Sequence, residues 1–171
     1  MTEAGLHIAL RVTARITFAF FVCAFTGNAL RDLWPGKLSV WLSRNRDWFL
    51  VAMAVSHTFH LAAIIALFQV VGWSKLHLVV VLGGGSVYLL LYALAATAIT
   101  RLRRNGQGFP GSPRLEAAAL YLIWLIFALA FVPRIVSGWP VYSILAVAAL
   151  AALVIRIACL VRHKRSLAAA A

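Results

Sequence analysis

Five separate stretches of this chain are apolar enough and long enough to cross a lipid bilayer, and they limit its fold more than any other feature. A membrane-spanning helix needs about 20 predominantly apolar residues. Such stretches lie near residues 9–30, 48–71, 77–99, 117–137 and 140–161, in a chain of 171 residues that is 64% hydrophobic. We therefore predict an all-α, polytopic membrane helix bundle that forms a single integral membrane domain over residues 1–171. We expect any soluble catalytic domain to come from another chain.

The charged residues indicate how these stretches are oriented. The chain has 16 Lys and Arg against 4 Asp and Glu, a formal net charge of +12, but the basic residues flank apolar runs and do not cluster on a polar domain. This placement is typical of topology signals and lipid contacts, not of nucleic-acid binding. Because cytoplasmic loops are enriched in Lys and Arg, we predict an outer N-terminus and a cytoplasmic C-terminus in a bacterial inner membrane. Most basic residues fall in three segments: Arg31, Lys37, Arg44 and Arg46; Arg101, Arg103, Arg104 and Arg114; and Arg162, Lys164 and Arg165.

Two histidines lie deep in the second apolar stretch. His57 and His60 are at positions i and i+3, which share one helix face. Counted from Trp48 at about 1.5 Å per residue, they lie roughly 13 and 18 Å into the membrane. An imidazole at this depth needs a partner, and the sequence leaves two kinds open: polar groups of neighbouring helices, or a proton or cofactor site such as the iron of a b-type haem. Zinc is disfavoured, because no Cys, Asp or Glu stands near them in sequence.

Three other features are candidates for the surroundings of these histidines. Arg11 and Arg15 share a face at the outer end of the first stretch, where they either contact propionate or phosphate groups or extend to the lipid headgroups. His77 begins the third stretch and is a candidate second ligand. The glycines at 83–85 remove side chains over nearly one helical turn, which permits close approach of another helix or of a flat macrocycle.

Three motifs follow one another along the chain. They are Arg44-Asn45-Arg46-Asp47 before Val55-Ser56-His57, Leu82-Gly83 before Ala95-Ala96-Thr97, and the aromatic run Tyr121-Leu122-Ile123-Trp124-Leu125-Ile126-Phe127. Their order resembles the ferric-reductase-like transmembrane family, most closely its small haem-binding subunits of periplasmic methionine sulfoxide reductases. The resemblance covers about residues 5–137. It implies helices that carry electrons across the membrane through b haems, with a cytoplasmic flavin or a quinol as donor and with His57 as a haem ligand.

The chain departs from this family on the helix that normally supplies the opposing ligands. In the family that helix opens with a Leu-His pair and carries another histidine near its far end. Here the pair is Leu115-Glu116, and no histidine occurs between His77 and His163. Two haems in series need four axial ligands. We therefore expect at most one haem b per chain, bound by His57 or His60. Its second ligand would be His77, Met53 or a residue of another subunit.

Three functions therefore remain open. The first is a b-type haem electron-transfer subunit, and the second is a haem-free accessory or scaffold subunit of a larger membrane complex. The third is a quinone-binding subunit, in which a buried histidine exchanges protons with a quinol. In each case we expect partners in the lipid bilayer and among other membrane or redox subunits, and any enzymatic activity would rest on a bound cofactor. In the haem interpretation the expected pocket walls are Phe59, Tyr88, Tyr92 and Trp124.

Overall fold

The computed structural model describes residues 2–73, 78–104, 112–136 and 140–169, and the regular elements in these ranges are all helical. Five of the helices are long and apolar enough to cross a membrane. The all-α, polytopic fold predicted from the sequence is confirmed, and the chain is an integral membrane protein in contact with lipid. The α-helices are α1 (Glu3–Leu33), α2 (Lys37–Arg44), α3 (Arg46–Val71), α4 (Leu78–Arg103), α5 (Pro113–Phe131) and α6 (Val141–Ala169), and a short 3-10 turn (Val132–Arg134) follows α5.

The sequence analysis did not predict α2, a short amphipathic helix between the first two long helices. Its apolar side chains Leu38 and Trp41 are exposed, as is Trp34 just before it, and Lys37 and Arg44 stand at its two ends. A helix with one apolar face and basic ends lies in the plane of a membrane interface. At 8 residues it is too short to be found by a search for apolar stretches that cross the bilayer.

The chain divides into two compact units, which are described separately. The first unit consists of Met1–Phe21 and Asp47–Ser112, and the second of Val22–Arg46 and Pro113–Ala171. The first unit therefore contains the beginning of α1 together with α3 and α4. The second contains the end of α1 together with α2, α5 and α6.

In the first unit, apolar packing and polar contacts between helices hold α1, α3 and α4 together. Phe21 of α1 and Met53 of α3 are completely buried, and the Thr17 hydroxyl donates to Ser56 Oγ at 3.0 Å. At the membrane surface, Arg101 of α4 forms a two-pronged ion pair with Asp47 of α3, with Nη2–Oδ1 at 2.6 Å and Nε–Oδ2 at 3.0 Å. Such interhelical polar contacts supply the specificity that the hydrophobic effect cannot supply in lipid.

In the second unit, small residues and one indole bring the helices together. Ala146, Ala149 and Ala152 form a buried face of α6, and the Trp124 indole of α5 donates to the Ala149 carbonyl at 2.8 Å. Gly27 of α1 lies against the end of α2, where an added Cβ would come within 3.1 Å of the Leu42 carbonyl. The glycine is therefore what allows α2 to fold back against α1.

Candidate functional site

The candidate site is the histidine pair near the middle of α3, in the first unit. The rings of His57 and His60 are stacked, with centroids 5.1 Å apart and planes 16° from parallel. They stand side by side on one helix face. The two axial ligands of one haem iron approach from opposite sides of the macrocycle, so this pair cannot supply both. The described residues thus offer one histidine ligand to one haem.

His60 is held by a hydrogen bond from α1. Its Nδ1 lies 2.8 Å from Thr13 Oγ1, and the same hydroxyl donates to the Ala9 carbonyl at 2.8 Å. Either atom can be the donor in the contact with Thr13, according to the tautomer of the ring. In the tautomer with the proton on Nδ1, the lone pair of the neutral ring lies on Nε2. A hydrogen bond to one ring nitrogen that leaves the other free to bind is the usual arrangement of metal-ligating histidines.

His57 has a different environment. Its ring lies 4.4 Å from the ring of Tyr88 on α4, and its Nδ1 is buried without a hydrogen-bond partner among the described residues. The Tyr88 hydroxyl is also buried and also lacks a partner there. A buried polar group without a hydrogen bond costs about 1–3 kcal/mol. Two such groups on facing helices therefore mark a place where a polar ligand or water would be stabilised.

A polar layer on α3 ties the pair to both neighbouring helices. Ser56 accepts from Thr17 of α1 at 3.0 Å, and Thr58 Oγ1 lies 2.9 Å from the Tyr92 hydroxyl of α4. Tyr92 in turn lies next to Tyr88, with ring centroids 6.2 Å apart. Residues 56–58 thus connect α3 to α1 on one side and to α4 on the other, which fixes the rotation of the histidine face.

Close packing of another helix was one expected use of the glycines in α4, but no described residue packs against Gly84 or Gly85. A Cβ built on Gly84 or Gly85 meets no atom of the described residues within 4 Å. Because α3 and α4 are antiparallel and His57 contacts Tyr88, Gly84 and Gly85 lie about one turn along, at the level of His60. The structure therefore leaves uncovered space on α4 beside the level of His60.

The other residues predicted for the site have varied positions. Arg11 is exposed. Arg11 and Arg15 each lie two residues from Thr13, a rotation of about 200° in a helix, so they project from the side of α1 opposite the Thr13–His60 contact. His77 lies outside the described residues.

Two of the four expected pocket walls lie elsewhere. Phe59 is 66% exposed. Its side chain therefore lies on an exposed face of α3 and does not wall the site. Trp124 belongs to the second unit, where it bonds to α6. Tyr88 and Tyr92 are the walls that the structure places near the histidines.

The resemblance predicts a histidine at the position of Glu116. The Glu116 carboxylate lies in the first turn of α5 and pairs with Arg46 Nη2 at 2.6 Å in the second unit. This position therefore has a structural ion pair, and a carboxylate in the first turn of α5 is also favoured by the helix dipole.

Sequence reasoning missed Thr13 as the partner of His60. A signal was present, because Thr13 and Thr17 lie at i and i+4 in the first apolar stretch and therefore form a polar stripe on one helix face. In the described part of the chain, no group of three or more His, Cys, Asp or Glu side chains comes together to hold a metal ion. A metal bound here would need most of its ligands from elsewhere, as in a macrocycle.

Comparison with known proteins adds no relative. No protein-family model matches the chain, and neither does any curated protein or solved structure.

Proposed function

We propose that this chain is a ferric-reductase-like redox subunit that binds one b-type haem through His60. The observation that carries the proposal is the contact between His60 Nδ1 and Thr13 Oγ1 at 2.8 Å. With the ring proton on Nδ1, this contact would leave Nε2 available to bind iron. A haem bound there would supply one-electron transfer. The protein's part is to hold the imidazole in one tautomer and one rotation.

His60 is the better ligand of the two for a structural reason. Its ring is oriented by Thr13, and it lies at the level of Gly84 and Gly85, where α4 leaves open space. His57 lies between His60 and Tyr88, with less room at its ring faces. We therefore assign His57 to the wall of the site. This assignment differs from the family resemblance, which implies His57 as the ligand.

A quinone site is the second candidate, favoured by the two buried polar atoms without partners. These atoms are His57 Nδ1 and the Tyr88 hydroxyl oxygen, on facing helices. The imidazole nitrogen can accept or donate a proton, and the tyrosine hydroxyl can donate a hydrogen bond. A quinone carbonyl accepts hydrogen bonds, and a quinol releases protons, so both groups fit this ligand class. In this case the histidine pair would bind no iron.

The cellular setting follows from the charge pattern and the fit of the site. We place the protein in a bacterial cytoplasmic membrane, with the basic ends of α1, α4 and α6 on the cytoplasmic side. The described residues offer one haem ligand, so the second would come from His77, from another subunit or from a small molecule. We therefore propose that the chain works within a complex of membrane or redox subunits.

Absorption spectra of the purified protein test the proposal. The protein, expressed with haem supplied and purified in mild detergent, should show a Soret band and a reduced b-type α band. Pyridine haemochrome analysis should give about one haem per chain. His60→Ala should abolish the bands, whereas His163→Ala, at the exposed end of α6, is the matched histidine control and should retain them.

The remaining outcomes separate the alternatives. Haem that is lost in His57→Ala and kept in His60→Ala would contradict our choice of ligand, and haem kept in both would contradict the site. A colourless preparation with extractable quinone that His57→Ala loses would favour the second candidate. A colourless preparation without quinone would favour the scaffold role.

A further inference from the structure

An arginine in the interior of α6 has no acidic partner among the described residues. Arg156 lies in the candidate span Val141–Ser166, six residues before Arg162 and hence about 9 Å from the basic end of α6. Its Nε is buried and lacks a hydrogen-bond partner among the described residues. Arginine stays charged at any ordinary pH, and an unpaired charge at membrane depth is costly.

Aromatic rings hold the guanidinium inside the second unit. Its Cζ lies 5.1 Å from the ring centroid of Phe25 and 5.5 Å from that of Tyr121, and the two rings meet edge to face at 5.4 Å. Phe25 is completely buried. Cation–π contacts orient the guanidinium and stabilise it by about 0.5–2 kcal/mol, but they do not neutralise it. The Tyr121 hydroxyl is likewise buried without a partner in the described chain.

No acidic side chain is left over to pair with Arg156. The chain contains four Asp and Glu residues, and each lies within salt-bridge distance of another basic side chain. The pairs are Glu3–His7, Asp32–Arg31, Asp47–Arg101 and Glu116–Arg46. The anion that balances Arg156 must therefore come from outside these side chains.

The surroundings of Arg156 indicate the chemistry of that anion. A cavity of about 570 Å³ lies towards the end of α6, and it is lined by Leu160 and His163, which share the Arg156 face at steps of four and three residues. Arg162 also lines it, and Asp32, the acidic residue at its edge, is tied to Arg31. Arg162 brings a positive charge to this cavity, whose α6 residues Leu160 and His163 lie one and two turns beyond Arg156. A cavity lined by an arginine at the basic end of α6 fits the headgroup of an anionic lipid.

We propose that Arg156 and Tyr121 form an intramembrane site for the phosphate of an anionic phospholipid, which enters beside Arg162 and His163. The phosphate would accept from the guanidinium and from the Tyr121 hydroxyl, which satisfies both groups. A lipid is favoured over a free anion because its acyl chains keep the phosphate next to apolar surface at this depth. The site lies in the second unit and does not depend on the proposed haem function.

Native mass spectrometry of the full chain tests the proposal. Protein in micelles of zwitterionic detergent is titrated with phosphatidylglycerol or with phosphatidylcholine, and bound phospholipid is counted. The wild type should retain phosphatidylglycerol preferentially. Arg156→Gln should weaken its binding about tenfold or more, the loss of one charge-assisted hydrogen-bonded contact. Arg165→Gln, a change of equal charge at the exposed end of α6, should weaken it far less.

Two further arms keep the result interpretable. Tyr121→Phe retains the ring that packs on Phe25 and removes only the hydroxyl, so it tests the site even where Arg156→Gln does not fold. It should weaken phosphatidylglycerol binding several-fold. Equal binding in wild type and both variants would overturn the proposal. A last arm compares inorganic phosphate with phosphatidylglycerol. If inorganic phosphate raises the melting temperature of the wild type by as much, and leaves that of Arg156→Gln unchanged, the bound phosphate group does not come from a lipid.

Discussion

Replacing Glu116 by glutamine tests whether the ion pair at the start of α5 stabilises the second unit. Glu116 Oε1 lies 2.6 Å from Arg46 Nη2, and the two side chains are only 20% and 16% exposed. Arg46 also donates from Nε to the Ala24 carbonyl of α1 at 3.3 Å. The pair thus connects α5 to the chain around the end of α1, and Glu116→Gln removes its charge while keeping its size.

The expected cost follows from how far the pair is buried. Exposed ion pairs contribute about 0.2–1 kcal/mol, whereas removal of one partner from a fully buried pair costs about 3–5 kcal/mol. This pair lies between those limits, and glutamine can still accept one neutral hydrogen bond. We therefore expect Glu116→Gln to lower the free energy of unfolding by about 2 kcal/mol.

A double-mutant cycle separates the pair from the other contacts of each residue. Wild type, Arg46→Gln, Glu116→Gln and the double variant are unfolded reversibly in mixed micelles with increasing SDS, and the coupling energy should be about 1–2 kcal/mol. The control is a second cycle at Arg31 and Asp32, whose side chains are 48% and 50% exposed and should couple by less than about 0.5 kcal/mol. Equal coupling at the two sites would refute the argument from burial.

Four further substitutions test the packing in the same unfolding assay. Gly27→Ala should lower the free energy of unfolding by about 1–3 kcal/mol, because the new methyl group meets backbone at 3.1 Å. Gly84→Ala, where an added Cβ meets no described atom, should leave that free energy unchanged or raise it. Equal effects of the two substitutions would contradict the packing. Thr17→Val should cost about 0.6 kcal/mol through loss of the bond to Ser56, and no change would show that this bond contributes nothing. Gly72→Ala should cost about 1 kcal/mol, since residue 72 has a φ of 92°, and a stabilised variant would refute that reading.

The long helices could be predicted from the sequence because each must satisfy its own backbone hydrogen bonds in lipid. That requirement ties the length of an apolar stretch directly to a helix, and five helices resulted. Their ends were less predictable. The α1 helix begins at Glu3, ahead of the apolar stretch at residue 9, because a helix continues through polar residues once water can solvate their side chains.

The partners of the histidines could not be predicted in the same way. Which face of α1 meets α3 depends on side-chain packing, and α1 has apolar residues around most of its circumference. The Thr13–His60 bond and the Tyr88 ring over His57 are contacts between helices far apart in sequence. The position of the histidines along α3 was predictable, since it follows from counting residues, but their orientation was not.

The position of the histidine pair also limits how electrons would reach a haem bound there. In α3, His57 and His60 lie about midway between Arg46 and Val71, roughly 17 to 21 Å from its first residue. A flavin domain in water would face much of the bilayer's hydrocarbon before reaching this level. A quinol reaches the same depth from within the bilayer.

We therefore expect a lipid-soluble quinol to be the electron donor of the proposed haem. The purified haem protein is mixed with a short-chain quinol or with a reduced water-soluble flavin at matched potential, and the reduced α band is followed in a stopped-flow spectrometer. The quinol should reduce the haem faster. His57→Ala should slow that reaction, because the His57 Nδ1, buried without a partner among the described residues, can take a quinol proton. Faster reduction by the flavin, unaffected by this substitution, would show that the donor approaches from the aqueous side and that His57 has no part in proton uptake.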